Sequence, residues 1–308
     1  MYKRIEMATK RHQLHPGRMA VRSLLDPFDV DGPDGKHRCL VHPPLWDNVL
    51  TFLHRNPLRR LPPLVLALVL ERLFLALDFL HTECRIAHTD IKAENIMFGM
   101  ADDSVFSDFE EEELRSPYPR KELDGRTIYL TRDFRLPKEV CAPVLCDFGS
   151  AVPLDGETEH REVIQPKVYR APEVILEAPW TYSVDIWNAG CMVSVDGFNG
   201  GNLFNGKDPE HAKYRSRAHL AEMIALLGPP PPSLLAQGNL TSKFFSDAGD
   251  FCAGILLPER TSLEDRETTL EGEDRACFLR LVRKMLQWEP DKRSSARELV
   301  TDEWLSKH

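Results

Sequence analysis

Residues 88 to 95 read His88-Thr89-Asp90-Ile91-Lys92-Ala93-Glu94-Asn95, and three of them have the types and spacing to meet one phosphate and one metal ion. The Asp90 carboxylate can accept a hydroxyl proton, the Lys92 ammonium can neutralise charge on a phosphoryl group, and the Asn95 amide oxygen can bind Mg²⁺. Such a stretch also recurs by chance, so its weight depends on what accompanies it. Further along, Val144-Leu145-Cys146 reads as a short strand that delivers Asp147-Phe148-Gly149. A carboxylate at a strand end, followed by a glycine that frees the backbone, suits a residue holding Mg²⁺ between phosphates. Three more stretches follow in order: Tyr169-Arg170-Ala171-Pro172-Glu173, Asp185-Ile186-Trp187-Asn188-Ala189-Gly190 and Glu289-Pro290-Asp291-Lys292-Arg293-Ser294.

The elements around these residues are legible from pattern. Residues 1 to 12 read as the tail of a mixed-charge helix, broken at His15-Pro16-Gly17. Val21 to Val30 and Cys39 to Val41 read as a hairpin about the turn cluster Asp31 to Gly35, with Pro27 at an edge or bend. A short helix over 47–55 precedes a long one that starts after Pro62-Pro63 and runs to Thr82. Within it Leu64 to Leu80 is apolar but interrupted by Glu71, Arg72 and Asp78, which makes it a buried helix and not a membrane span. Between residues 99 and 144 the pattern loosens. Residues 101 to 113 carry seven acidic side chains and no Lys or Arg, which reads as an exposed, partly flexible insert: first a solvated acidic loop, second a docking or regulatory segment. Helices are expected over 183–194, 217–227, 275–287 and 295–304. Gly228 and the prolines after it stop the second of these, and Ser295 with Glu298 caps the last.

Composition bounds the partners. The chain has 308 residues, 42% of them apolar, and a net charge of −9. It is large enough to bury a sizeable core. The negative charge argues against free nucleic acid and for a basic peptide or protein. Seven dispersed cysteines without a CxxC pair suggest neither a disulfide framework nor a zinc site, and fit a reducing intracellular compartment, cytoplasmic or nuclear. Met1 to Leu14 lacks the apolar core of a signal peptide.

In order and composition, HTDIKAEN, CDFGSA, YRAPEV, SVDIWNAG and WEPDKRSSA resemble the catalytic core of eukaryotic protein kinases. The finer resemblance is to the SR-protein kinase family of the CMGC group. It rests on Thr89 where most kinases have Arg, the His81-Thr82-Glu83-Cys84 lead-in, the long insert before Asp147, and the segment His219 to Pro230. It spans residues 20 to 305. The resemblance implies an α+β, bilobal fold: a mostly helical large lobe over 47–308, carrying the insert 99–144, and an incomplete β small lobe with hinge over 1–46. It implies transfer of the ATP γ-phosphoryl to Ser or Thr of protein substrates, basic or Arg/Ser-rich ones among them. Asp90 and Lys92 would then be catalytic, and Asn95 and Asp147 would hold Mg²⁺. Backbone groups near Pro43 and Leu45 would meet adenine, over a floor formed by Met97. Glu173 would pair with Arg293, and Asp185 would hydrogen-bond the backbone of residues 88–95. Small-molecule phosphotransferases share the first motif but lack the Tyr169 to Glu173 pattern.

Two parts that such a kinase uses are not found ahead of residue 88: a G-x-G-x-x-G loop and an A-x-K strand. Met1 to Lys10 matches the latter part of the first kinase helix, so the small lobe is expected to lack its first three strands, to expose apolar surface and to bind nucleotide with sharply reduced affinity. Lys3 and Glu6, at i,i+3 spacing, are expected to form a surface pair and not a relocated catalytic one. The alternative to an enzyme is a truncated pseudokinase that binds partners without chemistry; the intact Asp90, Lys92, Asn95 and Asp147 favour the enzyme. Two smaller departures are Pro43 in the hinge and Val195 to Gly201, where the glycines and polar residues suggest that a helix ends early. Thr89 has a direct consequence. An Arg at that position pairs with a phosphate on the segment Ser150 to Lys167, and Thr cannot. The expected outcome is full activity without phosphorylation there, measured on protein treated with phosphatase; activity that rises steeply only after that segment is phosphorylated contradicts it.

Overall fold

The computed structural model describes residues 1–308 apart from Pro33, Leu58, Asp102 and residues 197–200; of the stretch Val195 to Gly201, where an early helix end is expected, residues 197–200 lie outside the described residues. Helix α1 (Tyr2–Arg11) leads into a 3₁₀ turn at Pro16–Ala20, and strands β1 (Asp26–Gly32) and β2 (Gly35–Val41) form an antiparallel hairpin with Asp26 opposite Val41. The first strand starts later than the sequence pattern suggests. Val21 instead forms a parallel bridge to Leu145, and the Arg22 amide donates to the Leu145 carbonyl at 2.9 Å. That part of the chain is thus pledged to another ladder, while Pro27, which has no N–H, is accommodated in a two-stranded hairpin. The hairpin leaves Phe28, Val30, Leu40 and Val41 exposed. In α1, Glu6 pairs with Lys10 at 2.6 Å and not with Lys3 as expected, because Glu placed four residues before Lys is the better helical geometry.

Helix α2 (Val49–Arg55) is capped by the Asn48 side chain, which accepts from the Thr51 amide at 2.8 Å. Helix α3 (Pro63–Asp78) opens with proline in its first turn and buries Leu66, Leu70, Leu73, Phe74 and Leu77. Among the described residues no helix is long and apolar enough to cross a membrane. The Pro16–Ala20 turn lies directly on α3: a Cβ on Gly17 would sit 1.9 Å from the Leu75 carbonyl oxygen, so only glycine fits. Arg72 reaches out of α3 to the Met19 carbonyl at 2.5 Å and the Pro143 carbonyl at 3.3 Å, tying three segments together.

Two short ladders frame the centre of the molecule. Strands β3 (Ile86–Ala87) and β8 (Val152–Pro153) pair antiparallel, and so do β4 (Ile96–Met100) and β7 (Val140–Leu145). The residues between them hold helix α4 (Ser104–Arg115) and a hairpin of β5 (Arg120–Leu123) and β6 (Arg126–Tyr129). This corrects the expectation of a loose acidic loop. Phe106 and Phe109, three apart on one face of α4, both pack on Phe134, at 5.7 and 5.1 Å between rings. Arg132 pairs with Glu113 at 2.9 Å and Glu112 at 3.3 Å and lies over the Tyr118 ring. Aromatic contacts and returning arginines offset the acidic run.

The remainder is helical. It comprises α5 (Pro172–Ile175), α6 (Ser183–Asp196), α7 (Ser216–Leu227), α8 (Pro232–Leu235), α9 (Leu263–Arg266), α10 (Gly272–Met285), α11 (Ala296–Val300) and α12 (Glu303–Lys307). The expected final helix over 295–304 is two helices. Its capping box, Ser295 with Glu298, is present, but the chain breaks at Asp302, which caps the Trp304 amide at 2.9 Å. The break turns Trp304 inward against Phe278, ring centres 5.0 Å apart. Arg293, just before α11, makes a bidentate pair with Glu173 at 2.5 and 2.7 Å, both side chains fully buried, and its guanidinium lies over the Trp187 ring at 5.0 Å.

Removing one partner of such a pair leaves an uncompensated buried charge. Glu173→Gln is expected to cost about 3 kcal/mol in urea denaturation, with part of the loss recovered in Glu173→Gln/Arg293→Met. A second expectation concerns pH. His219 in α7 is buried against Phe204 and meets the Tyr214 hydroxyl at 3.0 Å; burial, with Arg170 nearby, pushes its pKa down to about 3. The folded protein therefore holds it neutral, whereas the unfolded chain protonates it below about 6.5. Its contribution to stability is complete above that value and is lost as pH falls from there towards 3, by about 1.4 kcal/mol per pH unit. His219→Gln should flatten the pH dependence of the denaturation midpoint between pH 6.5 and 5.

Candidate active site

The site is built where the two ladders end. Pairing of Ile96 with Leu145 aligns the start of β4 with the end of β7, and the Cys146 amide donates to the Asn95 carbonyl at 2.7 Å. Asn95 and Asp147 are thereby neighbours in space, and the insert emerges from the opposite end of the same ladder. Pairing of Ala87 with Val152 likewise lays residues 88–92 beside residues 147–151.

The loop from His88 to Lys92 is fixed from below by Asp185. This buried carboxylate in α6 accepts the backbone N–H of His88 and of Thr89, each at 2.7 Å, and meets the His81 ring at 2.9 Å. Thr89 has φ +66°, a costly conformation for a β-branched residue. Besides its N–H bond, its hydroxyl donates to the Ser150 carbonyl at 2.8 Å, so the strained residue is pinned on both sides. His88 is buried; its Nδ1 accepts the Asp90 amide at 3.3 Å and its Nε2 donates to the Cys146 carbonyl at 2.9 Å. These bonds assign the neutral tautomer with the proton on Nε2, and burial lowers the His88 pKa, against the opposing pull of Asp185.

On this base the side chains converge. Asp90 Oδ2 accepts from Lys92 Nζ at 2.8 Å and from Asn95 Nδ2 at 2.9 Å, and the same Nδ2 donates to the Asp90 carbonyl at 2.8 Å. Asn95 thus spends its nitrogen on Asp90, and its amide oxygen is not used there. Asp147 has φ +60° and is exposed; its Oδ1 accepts the Gly149 amide at 3.2 Å, and a Cβ on Gly149 would press on that oxygen at 3.1 Å. Among the described residues Asp147 makes no ion pair. The Asn95 amide oxygen and the exposed Asp147 carboxylate form an all-oxygen donor set that suits a hard divalent ion. Phe148, next to it, is buried edge-on against His88 at 5.2 Å and Tyr2 of α1 at 5.5 Å. The linker carrying Pro43 and Leu45 enters along β4: the Trp46 amide donates to the Phe98 carbonyl at 2.8 Å, and Asn48 bridges to Met97.

The segment after Gly149 is held by contacts that need no phosphate. The Tyr182 hydroxyl donates to the Leu154 carbonyl at 3.2 Å, and Arg4 pairs with Asp155. Arg161 donates to the carbonyls of Glu177 and Gln237, each at 2.9 Å. Gln165 accepts the Ala171 amide at 2.8 Å and donates to the Val184 carbonyl at 2.9 Å. Sequence reasoning missed His81, Arg161 and Gln165 as parts of this framework. Each acts through backbone or a residue far away in the chain, and no spacing signals such a contact.

Comparison with known proteins agrees with this geometry. The protein kinase domain model matches residues 35–305. A serine/threonine protein kinase of Aspergillus fumigatus is 41% identical over 295 residues, covering 94% of this chain and 70% of the relative. The serine/threonine-protein kinase SRPK of Physarum polycephalum is 29% identical, covering 93% and 71%. The dual specificity protein kinase CLK2 of Mus musculus is 31% identical, covering 90% of this chain and 49% of its own length. With its motifs assembled at the ends of two ladders and its sequence matched over most of its length, the chain belongs to the protein kinase domain family.

Proposed function

We propose that this chain transfers the γ-phosphoryl of ATP to serine or threonine hydroxyls of protein substrates, basic and Arg/Ser-rich ones in particular. The observation that carries the reading is the Asp90 carboxylate, held by Lys92 and Asn95 on a loop that a buried Asp185 fixes in place. Asp90 orients the acceptor hydroxyl and takes its proton as the oxygen bonds to phosphorus, while the bond to the leaving diphosphate breaks. Lys92 offsets charge on the moving group. Asn95, through its amide oxygen, and Asp147 would hold Mg²⁺, which supplies charge neutralisation on the phosphates when bound. Backbone groups at Pro43 and Leu45 meet adenine, and Met97 forms its floor.

The preference for basic substrates is supported by the net charge of −9 and by the resemblance to SR-protein kinases. The same reading divides the chain into small lobe and hinge over 1–46 and large lobe over 47–308, with 99–144 inserted. Use of ATP and seven unpaired cysteines support an intracellular setting. The pseudokinase alternative finds no support in the assembled side chains.

Asp90→Ala is the direct test. Phosphate transfer to a basic, Ser-rich peptide should fall about 10²- to 10⁴-fold with an unchanged melting temperature. Transfer that survives the substitution, or that is absent from wild-type protein supplied with Mg²⁺-ATP, overturns the reading.

A further inference from the structure

Arg22 is a cation that the scheme above does not use. Its backbone is fixed by the 2.9 Å bond from its amide to the Leu145 carbonyl, next to the Val21–Leu145 bridge. It therefore runs alongside the residues that deliver Asp147. Val21 is buried in the core, and successive side chains of an extended segment point to opposite sides; Arg22 is sent to the other side of its segment. Its inner nitrogen Nε is buried yet has no hydrogen-bond partner, and among the described residues Arg22 forms no ion pair. A desolvated guanidinium donor without an acceptor is costly to maintain.

Its surroundings indicate what would satisfy it. Burial pushes the Tyr2 hydroxyl up to about 12; the Arg22 charge opposes the rise and the Asp147 charge adds to it. Both charges thus reach Tyr2, and the Arg22 backbone is bonded to Leu145, two residues before Asp147. The other cation of the site, Lys92, is already bonded to Asp90. A triphosphate carries more negative charge than one divalent ion offsets, and a guanidinium fork matches two phosphate oxygens at once.

We propose that Arg22 is a nucleotide-binding residue, its guanidinium meeting an inner phosphate of ATP beside Asp147. This rests on the kinase reading of the cleft and adds a phosphate contact from the segment that follows the Pro16–Ala20 turn. The bland alternative is that Arg22 only balances the charge of Asp147 and touches no ligand.

Calorimetric titration of the full chain with Mg²⁺-ATP and, separately, with adenosine distinguishes the two. Arg22→Met keeps the stem and removes the charge; it should weaken ATP binding about tenfold and leave adenosine binding as in wild type. Arg22→Lys, which keeps the charge but not the fork, should bind ATP more weakly than wild type and more tightly than Arg22→Met. An ATP-to-adenosine affinity ratio unchanged in Arg22→Met overturns the assignment, as does a Lys variant that binds ATP more weakly than the Met variant. Should Arg22→Met fail to fold, the Lys variant and the salt dependence of wild-type ATP binding carry the test: binding insensitive to salt counts against a cation on the phosphate. Wild-type protein that binds neither ligand overturns the nucleotide reading itself, and Arg22 with it.

Discussion

The centre of this molecule depends on one buried carboxylate. Asp185 lies inside α6 with no solvent access, and a charge there is unfavourable unless its oxygens are filled. Two backbone amides and one histidine ring fill them, and the amides belong to His88 and Thr89. The requirement works in both directions. Asp185 needs these donors in order to be buried, and the loop needs Asp185 to hold Thr89 in a left-handed conformation that it would otherwise leave. The positions of Asp90, Lys92 and Asn95 follow from that bargain, since they are the next residues along a backbone with no freedom left.

A second buried pair does comparable work for the segment that follows. Glu173 and Arg293 are 120 residues apart in sequence and meet with both side chains fully buried, the guanidinium resting on Trp187. Trp187 lies in the same helix as Asp185. Helix α6 is therefore the common support: one of its residues holds the loop at 88–95, and another packs against the cation that anchors α5. A shift of α6 would disturb both at once. Arg161 and Gln165 extend the same logic by taking backbone carbonyls and amides of neighbouring segments as partners, contacts that require neither a phosphate nor a bound ligand.

The insert shows how a long connection is tolerated next to such a constrained centre. It joins β4 to β7 at the end of their ladder remote from Asn95 and Asp147, so its length does not disturb the register that makes those residues neighbours. Lengthening a surface connection costs little entropy per added residue. Here the added chain also regains order from its own contacts, through Phe134 and Arg132.

The sequence by itself marked the residues that could carry the proposed chemistry and much of the scaffold. Asp90, Lys92, Asn95 and Asp147 were legible because residue type and short spacing carry their meaning locally, and α3, the hairpin turn and the Ser295 cap were legible because periodicity and capping are local as well. What lay beyond reach depended on contacts between distant residues. The burial of Trp304 divided a helix that looked continuous, the pairing of Val21 with Leu145 shortened a strand, and two phenylalanines on one face of α4 ordered a stretch that composition alone marked as loose. Arg22 belongs to this second group. In the sequence it is one basic residue in a strand-like run; only the ladder sets its backbone beside Leu145, two residues before Asp147, because that pairing joins residues far apart in the chain.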